Sequence, residues 1–271
     1  FVAEYGSGRT PNPCLLCNKS IKFGLLLQRA LELGADYLAT GHYARLRRRD
    51  SRYELLKGVD PGKDQSYVLY MLAQEELERL LLPLGEYTKE EVRAIARDRG
   101  LPVADREESQ EICFAMGDYR RFLAAQPGVV FERGAIMDEE GAVLGQHRGL
   151  PAYTIGQREG LGISAPHPLY VLEIATERNA LVVGPRERLA RAELRAREVT
   201  FVSGKPSSRP VEIMAKIRYR ATEAKATLTY LGGGEARVRF VEPQLAITPG
   251  QGVVFYSGDV VVGGGIIEEV G

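Results

Sequence analysis

The chain contains no tryptophan, three cysteines and three histidines among 271 residues, and its 36 Lys and Arg are matched by 36 Asp and Glu. Each shortage excludes something. Three thiols are too few for a disulfide framework, and scarce unpaired cysteines fit a reducing cytoplasm. A formal net charge of zero means that no global field draws in a polyanion, so a nucleic-acid partner must be held by local patches. No apolar run approaches membrane-spanning length, since Gly24-Leu25-Leu26-Leu27 is broken at once by Gln28 and Arg29. No secretory leader is expected, and the sequence carries no internal repeat, no low-complexity tract and no phosphate loop ending in Gly-Lys-Ser/Thr. Phe1 is not an initiator Met, and Phe1-Val2-Ala3-Glu4-Tyr5-Gly6 reads like the middle of a longer chain, so an N-terminal truncation or incomplete gene model is expected.

What is present is globular in character: 44% hydrophobic and 27% charged residues, with length for two or three domains. Residues 1–115 alternate helix with strand. Asn18 is expected to cap a helix whose apolar residues Ile21, Leu25 and Leu31 recur at helical spacing, ending near Gly34. A short strand follows at residues 37–40, and residues 53–56 form one arm of a hairpin with basic residues Arg45 to Arg52 near its tip. Thr88-Lys89-Glu90-Glu91 is a capping box that opens another helix. Such an order argues for an open α/β sheet. Residues 116–195 begin with a short helix near Tyr119 and turn to strand, with 169–174 and 180–183 as a hairpin. Residues 196–271 are nearly all strand, at 211–219, 224–230, 236–241 and 252–256, which suggests a small antiparallel barrel.

The chemistry-bearing residues are few. Cys14 and Cys17 follow the stiff approach Thr10-Pro11-Asn12-Pro13, and Cys113 lies far off in Ser109-Gln110-Glu111-Ile112-Cys113-Phe114. A thiol pair with one distant partner suggests sulfur chemistry, in which one thiol carries and another attacks or resolves. The competing readings are half of a zinc site, with Cys113, His42, His147 and His167 as candidate further ligands, and a thioredoxin-like redox pair. Cys113 by itself reads equally as a small buried hydrophobe. Lys63, Asp64 and Gln65 stand at a helix entrance, where they either orient a nucleotide or, for Asp64, simply cap the helix. Gly41 and His42 follow a strand, where open α/β sheets place ligands, although a lone His there is commonly structural. Tyr153 to Gly162 is glycine-punctuated, polar and aromatic. Lys216-Ile217-Arg218-Tyr219-Arg220 sets alternate cations on one strand face, which suits a solvated edge or phosphate contact with base stacking.

Taken together, the segments RTPNPCLLCNKSIKF (9–23), ATGHY (39–43), KDQSY (63–67), SQEICF (109–114), YTIGQR (153–158), KIRYR (216–220) and TPGQGVVFYSGDVVVGGG (248–265) resemble, in this order, the tRNA-specific 2-thiouridylases. The resemblance runs from about Gly8 to the C-terminus. It implies the C-terminal part of a Rossmann-like domain of the adenine nucleotide alpha-hydrolase type (1–115), a small mixed central domain (116–195) and a C-terminal antiparallel β-barrel that binds tRNA (196–271). It implies a cytoplasmic sulfurtransferase that uses ATP, with Mg²⁺, to adenylate the 2-oxygen of a tRNA wobble uridine and replaces that oxygen with sulfur. Cys113 would carry persulfide sulfur from a sulfur-carrier protein or cysteine desulfurase, and Cys17 would be the nucleophile that ends in a transient disulfide with Cys113. Asn12, Pro13 and Cys14 would contact the flipped-out uridine. His42, Lys63, Asp64, Gln65, Arg218, Tyr219 and Gln251 would contact tRNA, and Gly41 would touch ATP.

The chain departs from the family in three ways: no SGG-x-D-S loop precedes these segments, Cys14 stands where some members carry an aspartate, and Glu159 where a Lys is common. The first departure leaves the ATP site expected to be partial. It also keeps two alternatives open, a non-catalytic RNA-binding fragment and a zinc-stabilised binding module.

Overall fold

The computed structural model describes residues 1–105, 112–115 and 118–271; Ser109, Gln110 and Glu111 of the SQEICF segment lie outside them. A short helix, α1 (Val2–Gly6), leads into the proline-rich loop. Asn12 ends that loop by accepting the Cys14 N–H at 3.1 Å, and Pro13 takes the first helical position, where its missing donor costs nothing. The helix begins as α2 (Pro13–Leu16), winds as a π-helix over Cys17–Leu26, and returns to α geometry in α3 (Leu27–Glu32).

The expected cap at Asn18 is therefore corrected. Asn18 lies inside the helix, 2% exposed, and its amide donates to the Val68 carbonyl at 2.8 Å. The start signal at Asn12-Pro13 wins because it satisfies an orphan donor without any tertiary partner. The expected apolar face is corrected as well. Ile21 and Leu25 are 57% and 67% exposed, and Leu15, Phe23 and Leu27 face the core instead. Hydrogen bonds from i to i+5 change which residues share a face, so counting in steps of 3.6 selects the wrong one.

Beyond this helix, β1 (Leu38–Ala39) runs into the Thr40–Tyr43 loop. A hairpin of β2 (Ala44–Arg49) and β3 (Arg52–Lys57) follows, then a 3₁₀ turn (Ser66–Leu69), α4 (Gln74–Glu78), β4 (Leu80–Leu81) and α5 (Lys89–Asp98). The capping box of α5 forms in both directions: Glu91 accepts from Thr88 N–H at 2.7 Å, and Thr88 Oγ1 from Glu91 N–H at 3.3 Å. The α/β sheet among the described residues is small, a parallel pair of β1 and β4.

The central region holds α6 (Tyr119–Ala124), β5 (Gly134–Met137), β6 (Val143–His147), β7 (Tyr170–Ala175) and β8 (Ala180–Gly184). Its sheet order is β6-β5-β8-β7, with β5 and β8 parallel.

The last region is a closed antiparallel barrel of β9 (Ala190–Phe201), β10 (Val211–Lys216), β11 (Ala224–Gly232), β12 (Glu235–Leu245), β13 (Gly252–Ser257) and β14 (Val260–Val270), ordered β13-β10-β11-β12-β9-β14 and closed by β13 on β14. β9 begins at Ala190, so the barrel takes in residues on both sides of the division expected at 195/196.

Two barrel strands, β9 and β14, were not anticipated from the sequence, and they are the ones that close it. In β14 the tract Gly263-Gly264-Gly265 reads as punctuation, yet a Cβ on Gly263 would sit 2.1 Å from the Thr200 carbonyl oxygen of β9, and one on Gly264 2.6 Å from that of Val253 in β13. Glycine is there because two backbones approach closely, the second meaning of glycine in a strand.

The β2–β3 hairpin leaves the α/β layer: Leu56 of β3 pairs with Val260 of β14. In consequence one hydrophobic cluster, including Leu15, Leu55, Tyr67, Leu69, Val254 and Tyr256, is shared by the first region and the barrel. That shared core fixes the cysteine helix against the barrel. No helix among the described residues is long and apolar enough to cross a membrane.

Candidate functional site

The loop before Cys14 is gripped from two sides. Thr10 N–H donates to the Pro249 carbonyl at 2.9 Å, the Gln251 amide donates to the Thr10 carbonyl at 2.7 Å, and Thr10 Oγ1 donates to Thr154 Oγ1 at 3.2 Å. Arg9 adds a bond to the Ile267 carbonyl at 3.0 Å. The barrel and the central region thus meet on the segment that delivers the thiols. Gly250 makes this possible: it has φ +90°, and a Cβ there would lie 3.0 Å from the Thr10 backbone. Beside it, Gly252 accepts the Tyr67 hydroxyl through its carbonyl at 2.8 Å, and a Cβ on it would meet Leu15 at 2.9 Å.

Cys14, Cys17 and Cys113 are all free thiols, the first and last exposed and Cys17 half-buried. The Cys17–Cys113 disulfide expected from the resemblance is therefore not a bond of this structure. The electrostatics of Cys14 nevertheless register both of the other sulfurs. The protein packed around the inner side of Cys14 pushes its thiol pKa up; the sulfur of Cys113 adds to this, the ammonium of Lys22 opposes it, and Cys17 adds again. Cys113 is carried there by its neighbour: Phe114 packs edge-on against Phe1 and Phe122, with ring centroids 5.2 and 5.1 Å apart. Among the described residues, no group of three or more His, Cys, Asp or Glu side chains is arranged to hold a metal ion, so the zinc-module alternative has no geometric support there.

His42 is 8% exposed and packs against Phe23. Its Nδ1 is 2.8 Å from Thr40 Oγ1 and its Nε2 is 3.5 Å from Lys22 Nζ. Burial and the adjacent lysine hold its pKa down at about 4, so the ring is neutral at neutral pH. Gln65 ties the next loop to this one, accepting Tyr43 N–H on its side chain at 3.0 Å and donating its own N–H to the Tyr43 carbonyl at 2.8 Å. Asp64 is buried, and its carboxylate accepts Gly58 N–H, Ser66 N–H and Ser66 Oγ within 3.0 Å. These bonds favour the reading of Asp64 as organiser of its turn. Lys63 is half-buried beside it.

The expected strand through Lys216–Arg220 is corrected, since β10 ends at Lys216 and the rest is a turn. Arg218 points inward rather than along an exposed face. Its guanidinium donates to the Ala246 carbonyl at 2.7 Å, to the Ile155 carbonyl at 3.1 Å and to Thr248 Oγ1, and its Nε is buried without a partner. Burial lowers its pKa. Three acceptors on one donor outweigh an open strand edge, because an unpaired guanidinium in this junction would be costly. Tyr219 stands edge-on to Tyr67 at 5.9 Å.

Gly41 follows β1, but a Cβ there would meet only Leu84 at an ordinary 3.5 Å, so it forms no tight phosphate cradle. Reading the sequence did not single out Lys22, Thr10 or Thr154. No local signal marks them, since each acts through a partner distant in the chain or through the π-wind of its helix.

Three family models match the chain: a tRNA methyl transferase HUP domain over residues 1–117, a tRNA methyl transferase PRC-barrel domain over 120–185, and an aminomethyltransferase beta-barrel domain over 191–267. The chain is 54% identical over 273 residues to the tRNA-specific 2-thiouridylase MnmA of Moorella thermoacetica, spanning all of this chain and 76% of that protein. It is 51% identical to the protein of that name from Roseiflexus castenholzii, over 98% of this chain and 76% of the relative. Against that of Geobacter metallireducens it is 53% identical, over 99% and 73%.

Proposed function

The chain belongs to the tRNA-specific 2-thiouridylase family, and from that premise we propose that it takes part in replacing the 2-oxygen of a tRNA wobble uridine with sulfur. The observation that carries this reading is that Cys14 and Cys17 are free thiols on the helix that follows a loop clamped at Thr10 by the other two regions, with Cys113 a third free thiol on a separate loop.

ATP, as co-substrate, would supply the activation: its α-phosphorus would bond to the uridine 2-oxygen as pyrophosphate leaves, so that AMP becomes the later leaving group. Gly41 is the residue we assign to its site. Cys113, exposed and therefore reachable by a donor protein, receives sulfur as a persulfide. Its terminal sulfur forms a bond to uridine C2 as the C2–O bond to AMP breaks. The Cys17 thiolate then attacks the Cys113 sulfur, releasing 2-thiouridine and leaving a Cys17–Cys113 disulfide that an external dithiol reduces. A base paired or stacked in an anticodon is not accessible in this way, so the uridine is flipped out against Asn12, Pro13 and Cys14. Cys14, whose raised pKa favours the neutral thiol, serves as a wall of that pocket rather than a nucleophile.

For tRNA contact we assign the loops carrying His42, Lys63, Asp64, Gln65, Tyr219 and Gln251. The side chains of Asp64, Gln65 and Gln251 brace these loops from within, and Arg218 holds the turn that presents Tyr219. Mass spectrometry of tRNA incubated with the complete enzyme, ATP and a persulfide donor tests the reading. Cys17→Ser and Cys113→Ser each abolish 2-thiouridine while tRNA still binds; normal thiolation by either variant sinks the relay.

A further inference from the structure

Residues 153–158 are distinctive in sequence but take no part in the sulfur chemistry, and hydrogen bonds account for most of them. Tyr153 is buried, and its hydroxyl accepts the Arg148 N–H at 3.3 Å. Thr154 meets Thr10, and the Ile155 carbonyl accepts from Arg218 at 3.1 Å. Gly156 donates its N–H to the Val171 carbonyl at 2.8 Å; at φ +84° a Cβ on it would lie 2.6 Å from the Ala246 methyl of the barrel. Gln157 braces the turn from within, its side chain accepting Thr154 N–H at 3.1 Å and donating to the Glu159 carbonyl at 2.8 Å. The run from Tyr153 to Gln157 is thus committed to fixing the loop. Arg158 comes next, exposed, with no carboxylate paired to it among the described residues. An exposed arginine is commonly just solvated, but a solvated one needs no fixed mount. Two further observations point to a ligand. Arg148 is exposed beside the same loop, its Nη2 3.9 Å from where a Cβ on Gly160 would sit. Arg158, Gly160, Gly162 and His167 line an open cleft of about 450 Å³.

We propose that Arg158, with Arg148 beside it, grips backbone phosphate of the tRNA anticodon arm while the wobble uridine enters against Cys14. Guanidinium groups from separate segments, gathered at a braced and glycine-lined cleft, suit a phosphodiester, which each can hold through two parallel N–H donors. The loop is tied to the candidate site. Arg158 follows Thr154, and Cys14 follows Thr10, by four residues each, so the backbone keeps both within about 14 Å of the Thr10–Thr154 bond. Contacts of this kind fix the register of the RNA without reading its bases, and a braced loop loses little freedom in making them. Glu159, the single carboxylate between residues 153 and 169, works against the contact. The proposal deepens the tRNA-thiolation reading and rests on it.

The test is binding of an unmodified tRNA transcript carrying the wobble uridine, and of its isolated anticodon stem–loop, to the whole chain between about 50 and 200 mM salt. Arg158→Gln makes the slope of log affinity against log salt smaller by about one, so its deficit against the unaltered chain shrinks about threefold across that range. Adding Arg148→Gln removes about one more, whereas Arg158→Lys keeps the slope. Glu159→Gln strengthens binding. All three side chains are exposed, so these variants fold. An unchanged slope in both Arg158→Gln and the double variant overturns the proposal. A change seen with whole tRNA but not with the stem–loop overturns its assignment to the anticodon arm. Failure of the unaltered chain to bind tRNA at all defeats the thiolation reading and this proposal with it, whereas normal binding with an unchanged slope defeats this proposal alone.

Discussion

The cysteine helix and the barrel solve the problem of burial in opposite ways. The barrel closes on itself, β13 on β14, and buries a core that includes Leu194, Ile213, Val238, Phe255 and Ile267. Among the described residues, the α/β region offers a two-stranded sheet and a helix whose Ile21, Leu25 and Leu26 remain exposed, Leu25 at 67%. Yet all three thiols belong to the open region and none to the closed one. The difference teaches a division of labour. A closed sheet has no free edges and few soft positions, so it serves as a rigid anvil; reactive side chains sit on loops and helix ends held against it. The contacts of Thr10 with Pro249 and Gln251 are where the anvil meets the tool.

Three further measurements would break or sharpen this contrast. The largest effect concerns acid stability, which should fail through the open region. Unfolded histidine titrates near 6.5, whereas His42 in the folded chain holds off protonation until about pH 4. Between those values the unfolded state binds the extra proton, so the stability from His42 is full above about 6.5 and is lost as pH falls toward 4. The amount is about 3 kcal/mol, and His42→Gln should flatten that part of the stability–pH curve. Equal acid loss with and without His42 would place the weak point elsewhere.

Next is Gly250→Ala, which tests the joint itself. A methyl at φ +90° and 3.0 Å from the Thr10 backbone should destabilise the chain by about 1–3 kcal/mol in denaturant titrations and loosen the thiol loop. No change in stability would mean that the barrel does not hold the loop through this contact. The smallest effect is a null. Because the Arg218 guanidinium is directed to Ile155, Ala246 and Thr248, Arg218→Ala should weaken tRNA binding without altering its salt dependence. A slope smaller by about one would make it a phosphate contact after all.

Legibility followed the range of the interactions. The capping box at Thr88 and Glu91, the hairpin of β7 and β8, and strands β10 to β13 were readable because their signals are local: a polar pair three residues apart, alternation, and Gly or Pro between runs. β9 and β14 were not. Ala190–Phe201 is rich in Ala, Arg and Glu, residues of good helix propensity, and becomes a strand through pairing on both sides with β12 and β14. The turn at Arg218 failed for the same reason, since alternation of cations says nothing of carbonyls waiting at Ala246 in the barrel and at Ile155 in the central region.

At the candidate site the thiols themselves and the Asn12-Pro13 approach were visible in the chain, because thiol chemistry and proline stiffness belong to the residue and need no neighbour. The sequence alone also determined the family, through ordered motifs. Only the tertiary structure decided that Asn18 is an anchor and not a cap, and that Lys22 lies beside His42. The physical reason is that reactivity depends on what lies within a few ångströms of a sulfur. A π-wound helix and a barrel closed by distant strands set those neighbours, and neither leaves a periodic trace in sequence.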